Sequence, residues 1–397
     1  MSLRIVIAPS GFKESLEAGE VADCIATGIL RALPDAAIQK APLVDGGEGF
    51  TKALVEATGG RLHEVTVTGP TGQPVRVHYG LLGGPGPTTA VVEMAAAAGL
   101  RLVPPDARDP LATTTYGVGE LIRAALDAGA ERILVGCGDS GTNDGGAGMA
   151  QALGVRLLDA TGRPLGRGGA VLAELDHIDL SQRDPRLGDV HMDVACNVHN
   201  LLCGPNGVAR VFGPQKGASP ETVERLAAAL DRYAEVIARD LHVDVREMPG
   251  GGASGGLGAG LHALVGATLH PRYDVVMQYL AIDDLLQDAD LVFTAEGGID
   301  FQTPRGKIPA EVAQRAKRVG LPVIALAGTV GQGARVNYEH GIDAYLSMLQ
   351  APCSLAEAIT NAAPLLEECA ETAMRLVLMG MRLEGDASRS GPPHSTP

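Results

Sequence analysis

Five glycine-rich loops, each carrying an acid or a lysine, constrain the fold of this chain most strongly. They lie around Lys13, Asp45, Asn143, Lys216 and Glu296, and most of them follow a short apolar run. Such runs are typical of buried strands, and ligands bind beyond the carboxyl ends of the strands in an open α/β sheet. Glycine there lets the backbone approach a phosphate group, and acids can hold a divalent metal ion. Together the loops indicate an enzyme that handles a metal-bound phosphoryl group.

The composition is typical of a globular protein that acts on small molecules. A chain of 397 residues is expected to form two domains. A net charge of −15 and an aromatic content of 3% argue against nucleic-acid binding, because that function needs a basic groove and stacking aromatics.

Neither a membrane span nor a secretion signal is expected. No apolar run reaches the roughly 20 residues that cross a bilayer, and the apolar start of the chain is too short for a signal peptide. The six cysteines form no CxxC pair and no zinc spacing, so we interpret them as small buried residues in a reducing cytosol. We expect a cytoplasmic protein without a membrane partner, either a monomer or a homodimer.

The strand pattern predicts a domain that is built from both ends of the chain. Two apolar runs near the start and three near the end resemble buried parallel strands, at 3–8, 37–43, 291–294, 322–326 and 344–348. The segment between them contains alternating, half-exposed strands that are typical of antiparallel pairs. We therefore predict two α/β domains, of which the second is a mixed insertion; two consecutive domains split near residue 200 are the alternative. The predicted boundaries are 1–60 with 276–383 for the first domain, 61–275 for the insertion and 384–397 for a disordered tail.

The few lysines are concentrated in the glycine-rich loops. Three of the six, Lys13, Lys216 and Lys307, lie there, which favours a role as point charges that face phosphate. Ser15 is predicted to cap the helix that follows Lys13, and the amino end of a helix can bind an anion.

The acids of the same loops suit a metal ion or a base. Asp45 and Glu48 follow the second predicted strand, and Glu296 and Asp300 follow a later one. Carboxylates in such places can hold Mg²⁺. A cluster at Asn143 and Asp144 allows two interpretations of equal weight. One is a site for a metal ion or a substrate hydroxyl, and the other is a turn that caps a helix.

A literal GxGxxG begins at Gly250 and includes Gly252 and Gly255. The motif alone is weak evidence for a dinucleotide site, and Pro249 interrupts the expected strand-to-turn geometry. A helix amino end that cradles nucleotide phosphates fits better, with Gly252, Gly255 and Gly256 against the ligand.

The loops taken together resemble conserved blocks of the bacterial glycerate kinase family, which is unrelated to P-loop kinases. The blocks occur in the order found in that family. They are APSGFKESL at 8–16, DGGEG at 45–49, DPLATTTYGVGEL at 109–121, TNDGGAGM at 142–149, the segment 193–218 with NLLCGPNG and FGPQKGA, and the segments 250–260 and 296–307.

The resemblance implies ATP-dependent phosphorylation of D-glycerate, with 2-phosphoglycerate favoured over 3-phosphoglycerate as the product. It also implies a flavodoxin-like domain with a parallel five-stranded sheet, interrupted by a second α/β domain. Three positions depart from the family pattern: Ser10 stands where Asp is common, Gly11 where Ser is common, and Gly298 where Arg is frequent. Arg305 is a candidate to replace that arginine.

These residues suggest a mechanism with ATP and glycerate between the two domains. The three loop lysines would neutralise phosphates or the substrate carboxylate, and Asn143, Asn206 and Arg305 would help to bind the substrates. The metal site or its water shell would be supplied by Asp45, Glu48, Glu296 and Asp300. Asp193, at the carboxyl end of a predicted strand at 190–195, is the first choice for the base that orients the substrate hydroxyl, and Asp144 is the second.

Three other functions stay open at this point. The first is a kinase of another small hydroxy acid, which the three departures motivate. The second is a regulator that binds glycerate or nucleotide without turnover, and the retained acids and lysines argue against it. The third is a dehydrogenase built on the GxGxxG segment, which micromolar binding of NADH would support.

Overall fold

The structure is a computed structural model that divides into two compact units. Unit 1 consists of Met1–Leu43 with Met277–Pro397, and unit 2 is Val44–Val276. Both ends of the chain therefore belong to unit 1. The structure describes residues 3–12, 15–44, 46–304 and 306–387, with side chains up to 383.

The strands are short and are numbered along the described chain. They are β1 (Arg4–Ile7), β2 (Ala37–Lys40), β3 (Arg61–Thr68), β4 (Pro74–Leu81), β5 (Thr89–Glu93), β6 (Arg132–Gly136), β7 (Arg156–Leu158), β8 (His177–Asp179), β9 (His191–Cys196), β10 (Thr268–Pro271), β11 (Leu291–Ile299), β12 (Val323–Val330) and β13 (Ala344–Ser347).

The α-helices alternate with these strands. They are α1 (Ala18–Ala32), α2 (Phe50–Thr58), α3 (Met94–Ala98), α4 (Tyr116–Asp127), α5 (Ala147–Ala152), α6 (Val208–Phe212), α7 (Pro220–Leu241), α8 (Ala253–Val265), α9 (Arg272–Tyr279), α10 (Ile282–Gln287), α11 (Ile308–Arg318), α12 (Leu355–Thr360) and α13 (Ala362–Ala387). Short 3₁₀ helices lie at Leu100–Leu102, Pro105–Ala107, Ala170–Glu174, Pro185–Gly188, Pro214–Lys216 and Ala334–His340. None of the helices within the described residues has the length and apolar character of a membrane span.

Unit 1 contains a five-stranded parallel sheet in the order β13-β12-β11-β1-β2. The chain leaves β1 toward β2 on one side and later returns as β11 on the other. The order of the strands therefore reverses between β1 and β11, which is the point where ligands bind in doubly wound sheets. The predicted parallel five-stranded sheet is confirmed.

Helices α1 and α13 cover the same side of this sheet. The apolar residues of α1 recur with helical spacing, and Val21, Ile25 and Ile29 are buried completely. They join the core formed by β1 and β11, which includes Ile5 and Phe293. Burial of one apolar stripe explains why this segment forms a helix of 15 residues.

Unit 2 contains a six-stranded mixed sheet in the order β10-β9-β6-β5-β4-β3. Strands β5, β6, β9 and β10 are parallel, whereas β3, β4 and β5 pair antiparallel. The antiparallel pairs predicted for the inserted segment are therefore present. The loops after β5, β6 and β9 all leave the sheet at one edge, because parallel strands share the direction of their carboxyl ends.

The boundaries differ from those predicted at two places. Residues 44–60 were assigned to the first domain, but in the structure they group with unit 2. The reason is that α2 buries Phe50 and Leu54 and that Thr51 N donates to the carboxylate of Glu93 on β5. Helix α13 also continues to Ala387, so residues 384–387 of the predicted tail are helical, and residues 388–397 lie outside the described residues.

Close packing of α1 on α13 requires glycine at position 28. A Cβ atom on Gly28 would lie 2.2 Å from Glu367 O and 2.8 Å from Ala370 Cβ. We expect Gly28→Ala to destabilise the protein by about 1–3 kcal/mol through overpacking, although alanine favours a helix over glycine by roughly 1 kcal/mol. Thermal unfolding followed by circular dichroism measures the change.

Gly380 on α13 is the matched control. A Cβ atom there would meet no heavy atom within 4 Å. Gly380→Ala should therefore leave the unfolding temperature unchanged or raise it. Equal effects of the two substitutions would contradict the packing argument.

Candidate active site

In unit 1, the segments that follow β1 and end β11 lie side by side at the point where the strand order reverses. Ser10 donates from its backbone N and from Oγ to Ala295 O, over 2.8 and 3.0 Å. A Cβ atom on Gly297 would approach only Phe12 Cα, at 3.9 Å, and one on Gly298 would approach only Thr329 Oγ1, at 3.5 Å. A side chain at either position would make one ordinary van der Waals contact and no clash, so packing does not require these glycines. Without a Cβ atom, their backbone can be approached closely by a ligand.

Lys307 places a cation beside this glycine segment. Its Nζ donates to Gly298 O over 3.2 Å and lies 3.6 Å from Glu296 Oε1. Both side chains are partly exposed, at 30% for Lys307 and 23% for Glu296. A weak, solvated ion pair of this kind leaves the ammonium group available to a phosphate, which is a stronger partner.

The three predicted metal ligands within the described residues are divided between the two units. Glu48 belongs to unit 2, and Glu296 and Asp300 belong to unit 1. Glu296 and Asp300 are four positions apart on extended chain, which separates them by about 13 Å. Among the described residues no group of three or more His, Cys, Asp or Glu side chains could hold a metal ion. Mg²⁺ needs only one or two carboxylates when phosphates and water complete its shell, so Glu296 fits a Mg²⁺ ion that arrives with a nucleotide.

The prediction that Ser15 caps α1 is wrong. Ser15 Oγ donates to Ile359 O over 3.4 Å. The residue at the cap position is Glu17, whose backbone N donates to Glu20 Oε2 over 2.9 Å. Acids already stand at the first turn of α1, which makes its amino end a poorer anion site than the sequence suggested.

The predicted residues Lys13, Asp45 and Arg305 lie outside the described residues.

In unit 2, Lys216 is buried beneath the loop that follows β6. Its side chain is almost inaccessible, and Nζ donates to Ser140 Oγ over 2.9 Å and to Thr142 O over 2.6 Å. Burial lowers the pKa of Lys216 to about 7, and the negative charge of Asp144 acts in the opposite direction. An ammonium group with two protein acceptors retains one hydrogen for a third partner.

Asp144 joins the amino ends of two helices. It is fully buried and accepts hydrogen bonds from Thr115 N over 2.8 Å, and from Gly146 N and Gly148 N over 3.2 Å each. Burial raises the pKa of this carboxyl, and the hydrogen bonds oppose the shift. Because Thr115 precedes α4 and Gly146 precedes α5, the capping interpretation accounts for Asp144.

The side chain of Asn143, next to this cap, lacks hydrogen-bond partners among the described residues. Its residue surface is fully buried, yet neither Nδ2 nor Oδ1 has a partner, and the same holds for Thr142 Oγ1. Buried polar groups are nearly always hydrogen-bonded. A water molecule or a ligand group is therefore required to complete this cluster, which agrees with the binding role predicted for Asn143.

The glycines of the GxGxxG segment are explained by close backbone packing. Ser254, Gly255 and Gly256 form a left-handed turn with φ of 51°, 73° and 91° at the start of α8. A Cβ atom would lie 2.0 Å from Thr142 O at Gly255, and 2.1 Å from Leu201 O at Gly252. These contacts require glycine without any ligand, so a nucleotide-binding role for them stays a prediction.

Asp193 was predicted to lie at the carboxyl end of its strand. In the structure it is the third of the six residues of β9. Its carboxylate accepts from Arg132 Nη2 over 3.3 Å and lies 2.7 Å from His270 Nε2 and 3.2 Å from His191 Nε2. The strand β9 begins and ends one residue later than expected. The structure thus gives Asp193 a role in joining β6, β9 and β10.

Two acidic loops of unit 2 lie in contact. Glu48 N donates to Asp139 Oδ2 over 3.0 Å, and Glu48 Oε1 lies 3.3 Å from Arg101 Nε. The side chains of Glu48 and Arg101 are 42% and 56% exposed. The predicted site residue Asn206 is exposed in the turn before α6. The side chains of Glu48 and Asn206 are thus both exposed to solvent.

Glu93 is a buried acid that sequence reasoning missed. It ends β5, is 2% exposed, and accepts from Thr51 N over 3.2 Å. Burial raises its pKa to about 7, and hydrogen bonds from the backbone of Thr51 and Gly49 oppose the shift. The signal was available, because an acid that ends an apolar strand often serves the edge where ligands bind.

The comparisons with known proteins identify the family of this chain. The model of the glycerate kinase family matches residues 5–378. The chain is 50% identical to a glycerate kinase of Haemophilus influenzae over 87% of this chain and 91% of that protein. It is 46% identical to a glycerate 2-kinase of Escherichia coli over 96% of this chain and 100% of that protein.

A solved structure is similar over the same length. A crystal structure that carries the name glycerate kinase 2, from Salmonella typhimurium LT2, has a TM-score of 0.85 and 50% identity, and covers 96% of this chain and 100% of that one. The resemblance stated from the sequence blocks is therefore confirmed. The chain belongs to the glycerate kinase family and is an enzyme of that family.

Proposed function

We propose that this enzyme transfers the γ-phosphoryl group of ATP to D-glycerate and that the 2-hydroxyl is the favoured acceptor. The observation that carries the proposal is the similarity to the Escherichia coli glycerate 2-kinase over its whole length. The glycine segments and the lysines of the two units support it, because phosphoryl transfer depends on alignment and on cations more than on covalent chemistry. The predicted location of the reaction between the domains and a cytoplasmic setting stay predictions.

Unit 1 is proposed to bind the phosphates of ATP. Gly297 and Gly298 are only partly buried and end the strand that pairs with β1 at the reversal of the strand order. Lys307 supplies positive charge beside them. Mg²⁺ would be held by Glu296 with the phosphates, and it would neutralise charge on the transferred group.

Unit 2 is proposed to bind glycerate. Lys216 would face the carboxylate, and the amide of Asn143 can accept a hydrogen bond from a hydroxyl and donate one to an oxygen of the acid. In the transfer itself, the glycerate oxygen forms a bond to the γ-phosphorus while the bond between this phosphorus and the oxygen that bridges to the β-phosphate breaks and leaves ADP. The hydroxyl proton passes to solvent water. Lys13, Asp45 and Arg305 stay predicted contributors.

Time-resolved ³¹P NMR with ATP, Mg²⁺ and D-glycerate tests the proposal. We expect ADP and 2-phosphoglycerate signals to grow together. A 3-phosphoglycerate signal would contradict the choice of hydroxyl, and unchanged ATP with folded protein would contradict the substrate. A panel of other small hydroxy acids, compared by kcat/KM, is the control for substrate identity.

The buried ammonium of Lys216 predicts a pH dependence. Since the pKa is about 7 in the folded protein, the charge is lost as pH rises through this value. We expect kcat/KM for glycerate to decline above pH 7. Lys216→Met should reduce it by about 10²-fold, as for loss of one partner of a buried charge pair, and should remove the pH transition. Steady-state rates between pH 6 and 9 measure both.

The stability of the protein should change with the opposite sign. Between the folded pKa near 7 and the ordinary lysine pKa of about 10.4, the unfolded chain binds more protons, so stability rises with pH. Relative to Lys216→Met, the native protein should gain up to about 1.4 kcal/mol per pH unit in this window. Urea unfolding at pH 7 and 9 measures it. Lys317→Met, which removes a partly exposed ion pair with Asp343, is the control. The native protein should show no such gain when it is compared with Lys317→Met.

Asp193→Asn separates a catalytic role from a structural one. Loss of a general base reduces kcat by about 10²–10⁴. Because the carboxylate is already engaged by Arg132 and two histidines, we expect kcat to stay within about threefold and the unfolding temperature to fall. A loss of 10²-fold or more in a folded variant would restore Asp193 as the base.

A further inference from the structure

We propose that Phe301 and Val330 form the surface on which the purine base of the nucleotide stacks. The proposal rests on the proposed function in one respect, that a nucleotide is the phosphoryl donor. We call this pair the base platform. It lies entirely within unit 1.

The base platform is an apolar surface that is partly exposed. Phe301 is 47% exposed and Val330 is 41% exposed. By contrast, Phe12, Phe50 and Phe293 are at most 4% exposed. In a chain with five phenylalanines and no tryptophan, an exposed phenylalanine is a scarce stacking group. Any nucleobase can stack on the face of a phenylalanine ring, because every base has a π-face.

A hydrogen-bonded loop holds Phe301 in place. The flanking Asp300 donates from N to Thr303 Oγ1 over 3.0 Å and accepts at O from Asn337 Nδ2 over 3.0 Å. Phe301 N donates to Gln332 O over 3.2 Å. Thr303 and Asn337 are fully buried, so these anchors are protected from water. A ring on such a loop binds a base without a large loss of conformational entropy.

The position of the base platform matches the proposed phosphate site. Phe301 lies two residues after the end of β11, and Val330 ends β12 and pairs with Ile299. Both therefore lie at the carboxyl edge of the sheet. Gly298, which accepts from Lys307 Nζ, precedes Phe301 by three positions, or about 10 Å of extended chain. The base and the phosphates of one nucleotide can thus occupy one edge of unit 1.

The other exposed aromatic residue among the described side chains is Tyr338, at 46%. Its ring stacks on Tyr345 with centroids 5.0 Å apart. Tyr345 pairs with Ala325, near the amino end of β12, which places this pair toward the opposite end of the strand. Tyr338 therefore serves as a control and not as a second platform.

Fluorescence of a Phe301→Trp variant tests the proposal directly. The natural chain has no tryptophan, so the signal reports this position alone. We expect ADP with Mg²⁺ to change the emission and inorganic tripolyphosphate with Mg²⁺, which has no base, to leave it unchanged. Tyr338→Trp should respond to neither. If calorimetry shows that ADP binds to Phe301→Trp while its emission stays constant, the platform is overturned.

A Phe301→Ala variant measures the contribution of the ring. We expect ADP to bind about tenfold or more weakly, as for loss of one stacked base, with tripolyphosphate binding and the KM for glycerate unchanged. Phe301→Tyr should retain the native affinity for ADP. An ADP affinity within twofold of the native value for Phe301→Ala would overturn the proposal. Direct binding keeps this result separate from the proposed function, because ADP affinity is measured without turnover of glycerate.

Discussion

The parallel pairing of β1 with β11 is the contact on which the arrangement of unit 1 depends. It joins Val6 to Val292, which lie far apart along the chain, and it places the segment after β1 beside the glycines that end β11. Without this pair the two ends of the chain would share no sheet, and the strand order would not reverse. The site proposed for phosphate and the base platform both follow from the edge that this pairing creates.

Unit 2 depends on a different constraint, the burial of polar groups. Lys216, Asp144 and Asn143 are all inaccessible, and such groups are costly unless each is hydrogen-bonded. Asp144 meets this requirement by capping two helices, and Lys216 meets it with two oxygen acceptors. Asn143 does not meet it within the protein. A buried amide without a hydrogen-bond partner is a natural place for a ligand, and this is why the cluster is the centre of the proposed glycerate site.

Much of the fold could be predicted, because the apolar runs of β1, β6 and β11 and the helical spacing of α1 are local patterns. The elements that were placed less well depend on distant contacts. Helix α2 groups with unit 2 since its amides and apolar face meet β5, which no local pattern indicates. Ser15 was an equally good cap by residue type, but the chain enters α1 two residues later, at Glu17. Asp193 has the chemistry of a base, yet its neighbours on β6 and β10 engage it.

The amino-acid sequence by itself determined the family, the reaction class and the glycine-rich segments that serve the two units, since these depend on residue types in a fixed order. Only the tertiary structure decided which of those residues are exposed, which are committed to packing and which lack a partner. The glycines of 250–256 and the acid at 144 are explained by contacts with distant backbone. Phe301 is marked only by its exposure at a sheet edge. Burial and hydrogen bonding are properties of residues brought together from far along the chain, and a linear pattern does not contain them.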